Sequence, residues 1–177
     1  MDYTIELPFL HWDKVGLIEL MQSYPDKKWQ HERNSSFDGD QVYVNRYLRT
    51  APSVLFDDIF SQLPELELKH QYTFFMELNP GTLLPPHADV GRDAVINFPL
   101  IGSWQQTPVR FHNTPAMSKT SVVHEHVYTC PTLLNVSKLH SAYNVTQQPR
   151  YMLSVSVHKS WDYIKEVVNK HAGIAQW

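Results

Sequence analysis

The chain has 177 residues, a mass of 20.6 kDa, a formal net charge of −3 and a single cysteine. That length suits one domain with one core and leaves little room for a second catalytic unit, and the lone Cys130 excludes an intramolecular disulfide or a cysteine-rich zinc site, so any metal must be held by nitrogen and oxygen. The mildly acidic balance, with no run of Lys or Arg, attracts phosphate backbones weakly, and nucleic acid is not an expected partner.

The opening MDYTIELPFLHWDK lacks the basic start and continuous apolar run of a secretory signal, and no later stretch is apolar for the length of a membrane span. A soluble, cytoplasmic protein with no membrane partner is the expectation. Asp13 is placed to cap a helix running to about Tyr24, with Val15, Leu17, Ile18 and Met21 as its apolar stripe and Pro25 as its stop. Gln41 to Leu48 alternates as a strand. A second helix is predicted from near Pro52 to Pro64, turning Val54, Leu55, Ile59 and Leu63 toward a core. From His70 to His158 the pattern changes to successive strands: His70 to Leu78, Ala94 to Ile101, Val109 to His112, Thr120 to Thr129, Thr132 to Val136 and Arg150 to Val157. Trp161 to His171 closes the chain as an amphipathic helix, with Ile164, Val167 and Val168 on one side. Many short strands flanked by helices imply a mainly β, α+β fold: a sandwich or barrel with one outer face covered by helix.

The last strand separates two kinds of side chain. Tyr151, Leu153, Val155 and Val157 share one face, and Arg150, Met152, Ser154, Ser156 and His158 share the other. The first reads as core; the second is either exposed to solvent or lines the mouth of a barrel that takes a polar ligand.

His87 and Asp89 lie two residues apart after the proline-stiffened approach PGTLLPPHAD, so on extended chain both point the same way and can reach one ion. His140 follows 51 residues after Asp89, and Arg150 comes 10 residues after His140 (140 − 89; 150 − 140). H-x-D, a distant histidine and then an arginine resembles the signature of the Fe(II)- and 2-oxoglutarate-dependent oxygenases, and the resemblance covers about half the chain. The text around the motif, HADVGR, INFPL and LHSAYN, is similar to small bacterial and phage members related to the aspartyl/asparaginyl β-hydroxylases.

The resemblance implies a double-stranded β-helix (jelly-roll, cupin-like) with flanking helices, a single domain over residues 1–177 and a β-helix core at about 70–158. It also implies iron(II) held by His87, Asp89 and His140, with 2-oxoglutarate and O2 as co-substrates. The expected reaction is hydroxylation of an amino-acid, peptide or other small polar substrate, with release of succinate and CO2. Two imidazoles and a carboxylate on one side of an ion leave adjacent positions open, and the far carboxylate of 2-oxoglutarate wants a planar, permanently charged donor, for which Arg150 is the candidate. Ser154 and Tyr72 are candidates to hydrogen-bond the co-substrate. Where many relatives carry a hydroxyl two residues after the arginine, this chain has Met152, so its carboxylate pocket must differ. Arg92 and Asn97 are candidates to hold a carboxylate of co-substrate or substrate, with a plain surface arginine as the alternative for Arg92.

His124-Glu125-His126 is the internal rival for metal; it lacks a third ligand and reads as a solvent or rim face. His112, His158 and His171 read as surface or packing residues, Cys130 as a small filler, and Phe74, Phe75 and Met76 as core. Trp29, Trp104, Trp161 and Trp177 read as core or edge packing, with Trp104, on the turn after Gly102, the one to test for substrate contact. Substrate choice is expected from 90–93, 104–107 and a lid at Asn34 to Asp40. The competing function is a cupin-like metal-binding protein or non-redox enzyme that does not use 2-oxoglutarate, with Arg150 holding some other anion.

Overall fold

A computed structural model describes residues 3–34, 43–115 and 119–173. In chain order these form β1 (Thr4–Glu6), α1 (Lys14–Ser23), β2 (Gln30–Asn34), β3 (Tyr43–Arg49), α2 (Val54–Phe60), β4 (Thr73–Leu78), β5 (Leu83–His87), β6 (Ala94–Ile101), β7 (Val109–His112), β8 (Val122–His126), β9 (Thr132–Asn135), β10 (His140–Tyr143), β11 (Arg150–Val157) and α3 (Trp161–His171). Two antiparallel sheets result, one in the order β1-β9-β6-β11-β4-β3-β2 and one in the order β5-β10-β7-β8. This is the mainly β, jelly-roll arrangement with flanking helices that the sequence leads one to expect.

Local chemistry sets the helix limits. The Asp13 carboxylate accepts from Gly16 N at 2.9 Å and the Ser53 and Ser160 hydroxyls cap α2 and α3, each satisfying a donor that would otherwise stand unpaired and contributing about 1 kcal/mol. Pro25 follows α1, and a tight helical turn at Pro64–Leu66 follows α2. The helices pack on the outer face of the larger sheet, where Leu17, Met21, Phe56, Ile59, Ile164, Val167 and Val168 meet Phe75, Ile96, Phe98, Leu153 and Val155. A second, smaller apolar cluster, including Val95, Phe111, Leu134, Val136 and Met152, lies between the two sheets.

The sequence expectations differ from the structure at definite places. Val15 and Val54 are 65% and 68% exposed, because the core-facing stripes run instead through Leu17 and Met21 and through Phe56 and Ile59. His70–Tyr72 is a tight helical turn before β4, and Lys119–Ser121 is another before β8, so both predicted strands start late. Four strands went unrecognised: β1, β2, β5 and β10. β5 contains Pro85 and Pro86, which remove ladder donors, and it is accommodated because it lies at a sheet edge. Gln41 and Val42, from the predicted strand there, and residues 35–40 of the expected lid lie outside the described residues.

The polar face of β11 is buried. Arg150, Ser154 and Ser156 are 6%, 5% and 4% exposed, so this face lines the interior between the sheets and is not solvated. Among the described residues no helix is long and apolar enough to cross a membrane.

Candidate metal centre and its cavity

His87 ends β5, Asp89 lies two residues beyond it, and His140 opens β10 directly opposite His87 in the antiparallel register. The pairing brings the two imidazole centroids to 4.3 Å, and Asp89 Oδ1 lies 3.4 Å from His87 Nε2. One ligand atom from each of the three residues falls within 4.8 Å of the others, and no other cluster of His, Cys, Asp or Glu with this property occurs among the described residues. The three side chains that the sequence singled out therefore converge.

Their orientation is fixed by neighbours. His87 Nδ1 is 2.8 Å from the Pro85 carbonyl and His140 Nδ1 is 2.9 Å from the Lys138 carbonyl. A carbonyl can only accept, so each Nδ1 carries a proton and each Nε2 is the ring atom left to face an ion. Asp89 is held from behind: Arg92 donates through Nε at 2.7 Å and Nη2 at 2.6 Å to Oδ2, and its Nη1 donates to Ser156 Oγ at 2.6 Å. Arg92 is thus tied to Asp89 and Ser156 while it also lines the cavity beside the triad. Burial raises the Asp89 carboxyl, but the His87 hydrogen bond and the charges of Arg92 and His140 outweigh it and hold the group at about 2. Burial, helped by the neighbouring His87 ring, brings His140 down to about 4. Two imidazoles and one carboxylate are the donor set that suits a divalent transition metal with open positions.

The His140 shift has a pH consequence in the metal-free protein. The folded state resists protonation of a group that in the unfolded chain titrates near 6.5, so stability is fully present above pH 6.5 and falls as pH drops toward 4. A loss on the order of 3 kcal/mol is expected across that window, read from urea midpoints in chelator at pH 7 and pH 4.5. In His140→Gln the drop should shrink by that amount; an unchanged drop would show that His140 is not the group responsible.

A cavity of about 200 Å³ opens from the triad between the sheets, walled by Leu84, Leu134, Val136 and Met152. Arg150, at the start of β11, lines the same cavity. Its Nη1 donates to the Thr107 carbonyl at 2.8 Å, its guanidinium lies 5.3 Å from the Trp104 ring centroid, and its Nε is buried with no hydrogen-bond partner. Among the described residues no carboxylate pairs with it. Burial pulls its pKa below the usual arginine value, but a guanidinium titrates so high that it stays charged. Gly102, at φ +150°, lets the chain pass close to Arg150: a Cβ there would lie 3.0 Å from Arg150 Cγ, tight enough to push that side chain aside.

Ser154 and Asn97, register partners on β11 and β6, also line this cavity. Asn97 Nδ2 donates to the Tyr128 hydroxyl at 2.9 Å, leaving Asn97 Oδ1 buried without a partner. Tyr128, which nothing in its local sequence marks, is buried against Trp104 at a centroid distance of 5.4 Å. Tyr72 is not in this cavity; its ring lies tilted against that of His158, 4.2 Å between centroids, in an adjoining groove. Trp104 is a buried platform under Arg150 and not an exposed contact for substrate. Phe75 is core, but Phe74 lines the groove and Met76 faces both concavities. His124 and His126 bond the hydroxyls of Thr4 and Thr132, each at 3.2 Å, and join no metal-ligand cluster among the described residues. His112 is buried, satisfied by Ser121 and Ser141, His158 and His171 are partly exposed, and Cys130 is half-buried.

The sequence matches no family model and no curated protein. Solved structures do match in fold. The epimerase SnoN from nogalamycin biosynthesis, in complex with Fe3+, alpha ketoglutarate and nogalamycin RO, is similar over 89% of this chain and 79% of its own, with 12% identity and a TM-score of 0.60. A Pseudomonas putida prolyl-4-hydroxylase is similar over 83% of this chain and 85% of its own, with 14% identity and a TM-score of 0.53. HygX from Streptomyces hygroscopicus, with nickel and 2-oxoglutarate bound, is similar over 89% of this chain and 83% of its own, with 12% identity and a TM-score of 0.54. At these identities the likeness is one of fold.

Proposed function

We propose that the chain is an Fe(II)- and 2-oxoglutarate-dependent dioxygenase, with iron held by His87, Asp89 and His140 and the far carboxylate of 2-oxoglutarate by Arg150. The observation that carries this reading is a buried guanidinium, with no carboxylate partner among the described residues and its Nε unsatisfied, in the same small cavity as two oriented imidazoles and a carboxylate. Leaving a buried charge without a counter-ion is costly, and a dicarboxylate spanning cavity and triad would remove that cost. The fold neighbours that carry 2-oxoglutarate support the same reading. The narrower kinship with aspartyl/asparaginyl hydroxylases rests on the motif text around His87 and His140 alone. A single domain over residues 1–177 is part of the proposal.

When bound, iron(II) and 2-oxoglutarate supply the oxidising chemistry, in which O2 is consumed, 2-oxoglutarate loses CO2 to become succinate, and a substrate C–H becomes C–OH. The residues of the chain bind and orient. Pro85 and Lys138 carbonyls hold the imidazole tautomers, and Arg92 keeps Asp89 presenting one oxygen to the ion. Arg150, fixed by Thr107 and Trp104, sets the depth of the co-substrate, with Ser154 and Asn97 Oδ1 as its polar neighbours. The apolar walls exclude water, which strengthens each of these interactions.

A thermal-shift titration tests the reading. With Mn(II) present, 2-oxoglutarate at 100 times its Kd should add about 2.7 kcal/mol of stability. Stabilisation by Mn(II) with no further effect of 2-oxoglutarate would instead favour a cupin-like metal protein in which Arg150 holds another anion.

A further inference from the structure

Beside the cavity lies a wider, more open groove of about 380 Å³ that shares Met76, Asp89 and Arg92 with it and so adjoins the triad at Asp89. Its far wall consists of Tyr47, Arg49, Tyr72, Phe74 and His158. The sheet register explains the assembly. Arg49 on β3 pairs with Phe74 on β4, which pairs with Ser154 on β11, while Tyr47 pairs with Met76, which pairs with Met152. Register partners point to the same face, so Arg49 and Tyr47 belong to the lining that carries Ser154 and Arg150. Two strand spacings separate Arg49 from β11, about 10 Å of backbone.

The groove has a distinct chemical character. The Arg49 guanidinium lies 5.9 Å from the Phe74 ring centroid, and among the described residues no carboxylate pairs with it. The acid in the groove is Asp89, which is already engaged by Arg92. Arg49, with no carboxylate partner among the described residues, thus stands beside the rings of Tyr47 and Phe74, which meet edge-on at 6.4 Å, and that of Tyr72. An arginine over an aromatic face presents its donor edge outward, the arrangement that receives a carboxylate while the rings receive an apolar body.

We propose that this groove binds the substrate, and that the substrate is a small organic carboxylate with a planar or apolar body, its anionic end on Arg49 and its body on Phe74 and the tyrosines. This rests on the reading of the triad as the oxidising centre and narrows it: Arg49 is a specificity-determining residue, and neutral or cationic molecules of the same shape are excluded as good substrates. The anion-binding ends of the two concavities are separate, Arg150 for co-substrate and Arg49 for substrate.

The test uses the full chain loaded with Mn(II), with and without 2-oxoglutarate, and three probes: N-acetyl-L-phenylalanine, its neutral amide, and acetate. Paramagnetic relaxation of the probe protons by Mn(II) reports both affinity and nearness to the triad. The aromatic carboxylate should bind about ten times more tightly than the amide or acetate, with its ring protons relaxed. Arg49→Gln should erase the advantage over the amide while leaving stabilisation by 2-oxoglutarate intact. Equal affinity of acid and amide, a preference that survives in Arg49→Gln, or no binding of the acid at millimolar concentration would each overturn the proposal. Failure of 2-oxoglutarate to stabilise the wild type, with the carboxylate preference present, would instead sink the co-substrate reading and leave the groove assignment standing.

Discussion

Arg150→Met is expected to weaken 2-oxoglutarate binding by about 100- to 1,000-fold, while the ligand-free protein melts at the same temperature as the wild type or higher. The two halves of this expectation have one cause. In the ligand-free protein Arg150 is a desolvated charge that makes one hydrogen bond to Thr107 and leaves Nε unpaired, so an apolar side chain of similar length relieves the fold of a penalty. With 2-oxoglutarate present, the same guanidinium becomes half of a charge-assisted pair in a small, walled cavity, where such a pair is strong. Arg150→Lys keeps the charge but loses the planar fork, and an intermediate loss of about tenfold is expected. Calorimetric titration of Mn(II)-loaded protein measures both variants; undiminished affinity in Arg150→Met would remove Arg150 from the co-substrate site.

Loss of a triad ligand should be more severe for turnover. In His140→Ala and Asp89→Asn, Mn(II) affinity is expected to fall by more than about 100-fold, since removing even an outer partner of a metal ligand commonly weakens binding 10- to 100-fold. Succinate release under Fe(II) and 2-oxoglutarate should fall to background. Asp89→Asn is the sharper variant because it preserves shape. With its partner neutral, Arg92 would present an uncompensated positive charge within one side chain of the dication, so repulsion adds to the lost ligand. Retention of Mn(II) binding in both variants would show that the ion is held elsewhere.

How far the site was legible in the sequence follows from how each residue reaches it. His87 and Asp89 were legible because two-residue spacing on extended chain fixes their relative direction without knowledge of the fold. His140 and Arg150 were legible through their order and spacing, and the face shared by Arg150 and Ser154 through strand alternation. That this face is buried was not legible, because a polar face on an antiparallel strand looks the same whether it meets water or a cavity. β5 and β10, which carry the histidines, escaped notice: one is broken in pattern by Pro85 and Pro86 and the other is only His140–Tyr143. Tyr128, the Thr107 carbonyl and Arg49 arrive by tertiary approach, which leaves no local trace. Packing is the sequence expectation that Trp104 fulfils, but that the packed partner is the Arg150 guanidinium over its ring is a tertiary fact.

The position of the triad in the smaller sheet has a mechanical consequence. His87 and His140 face one another across the outermost strand pair, and the outermost strand is the one that prolines deprive of backbone donors. An ion gripped by both imidazoles would fasten that seam as a removable staple, closing a long loop much as a covalent cross-link does. Starved of its ion, the molecule would peel first along this border, so that cofactor supply governs resistance to proteases as well as turnover.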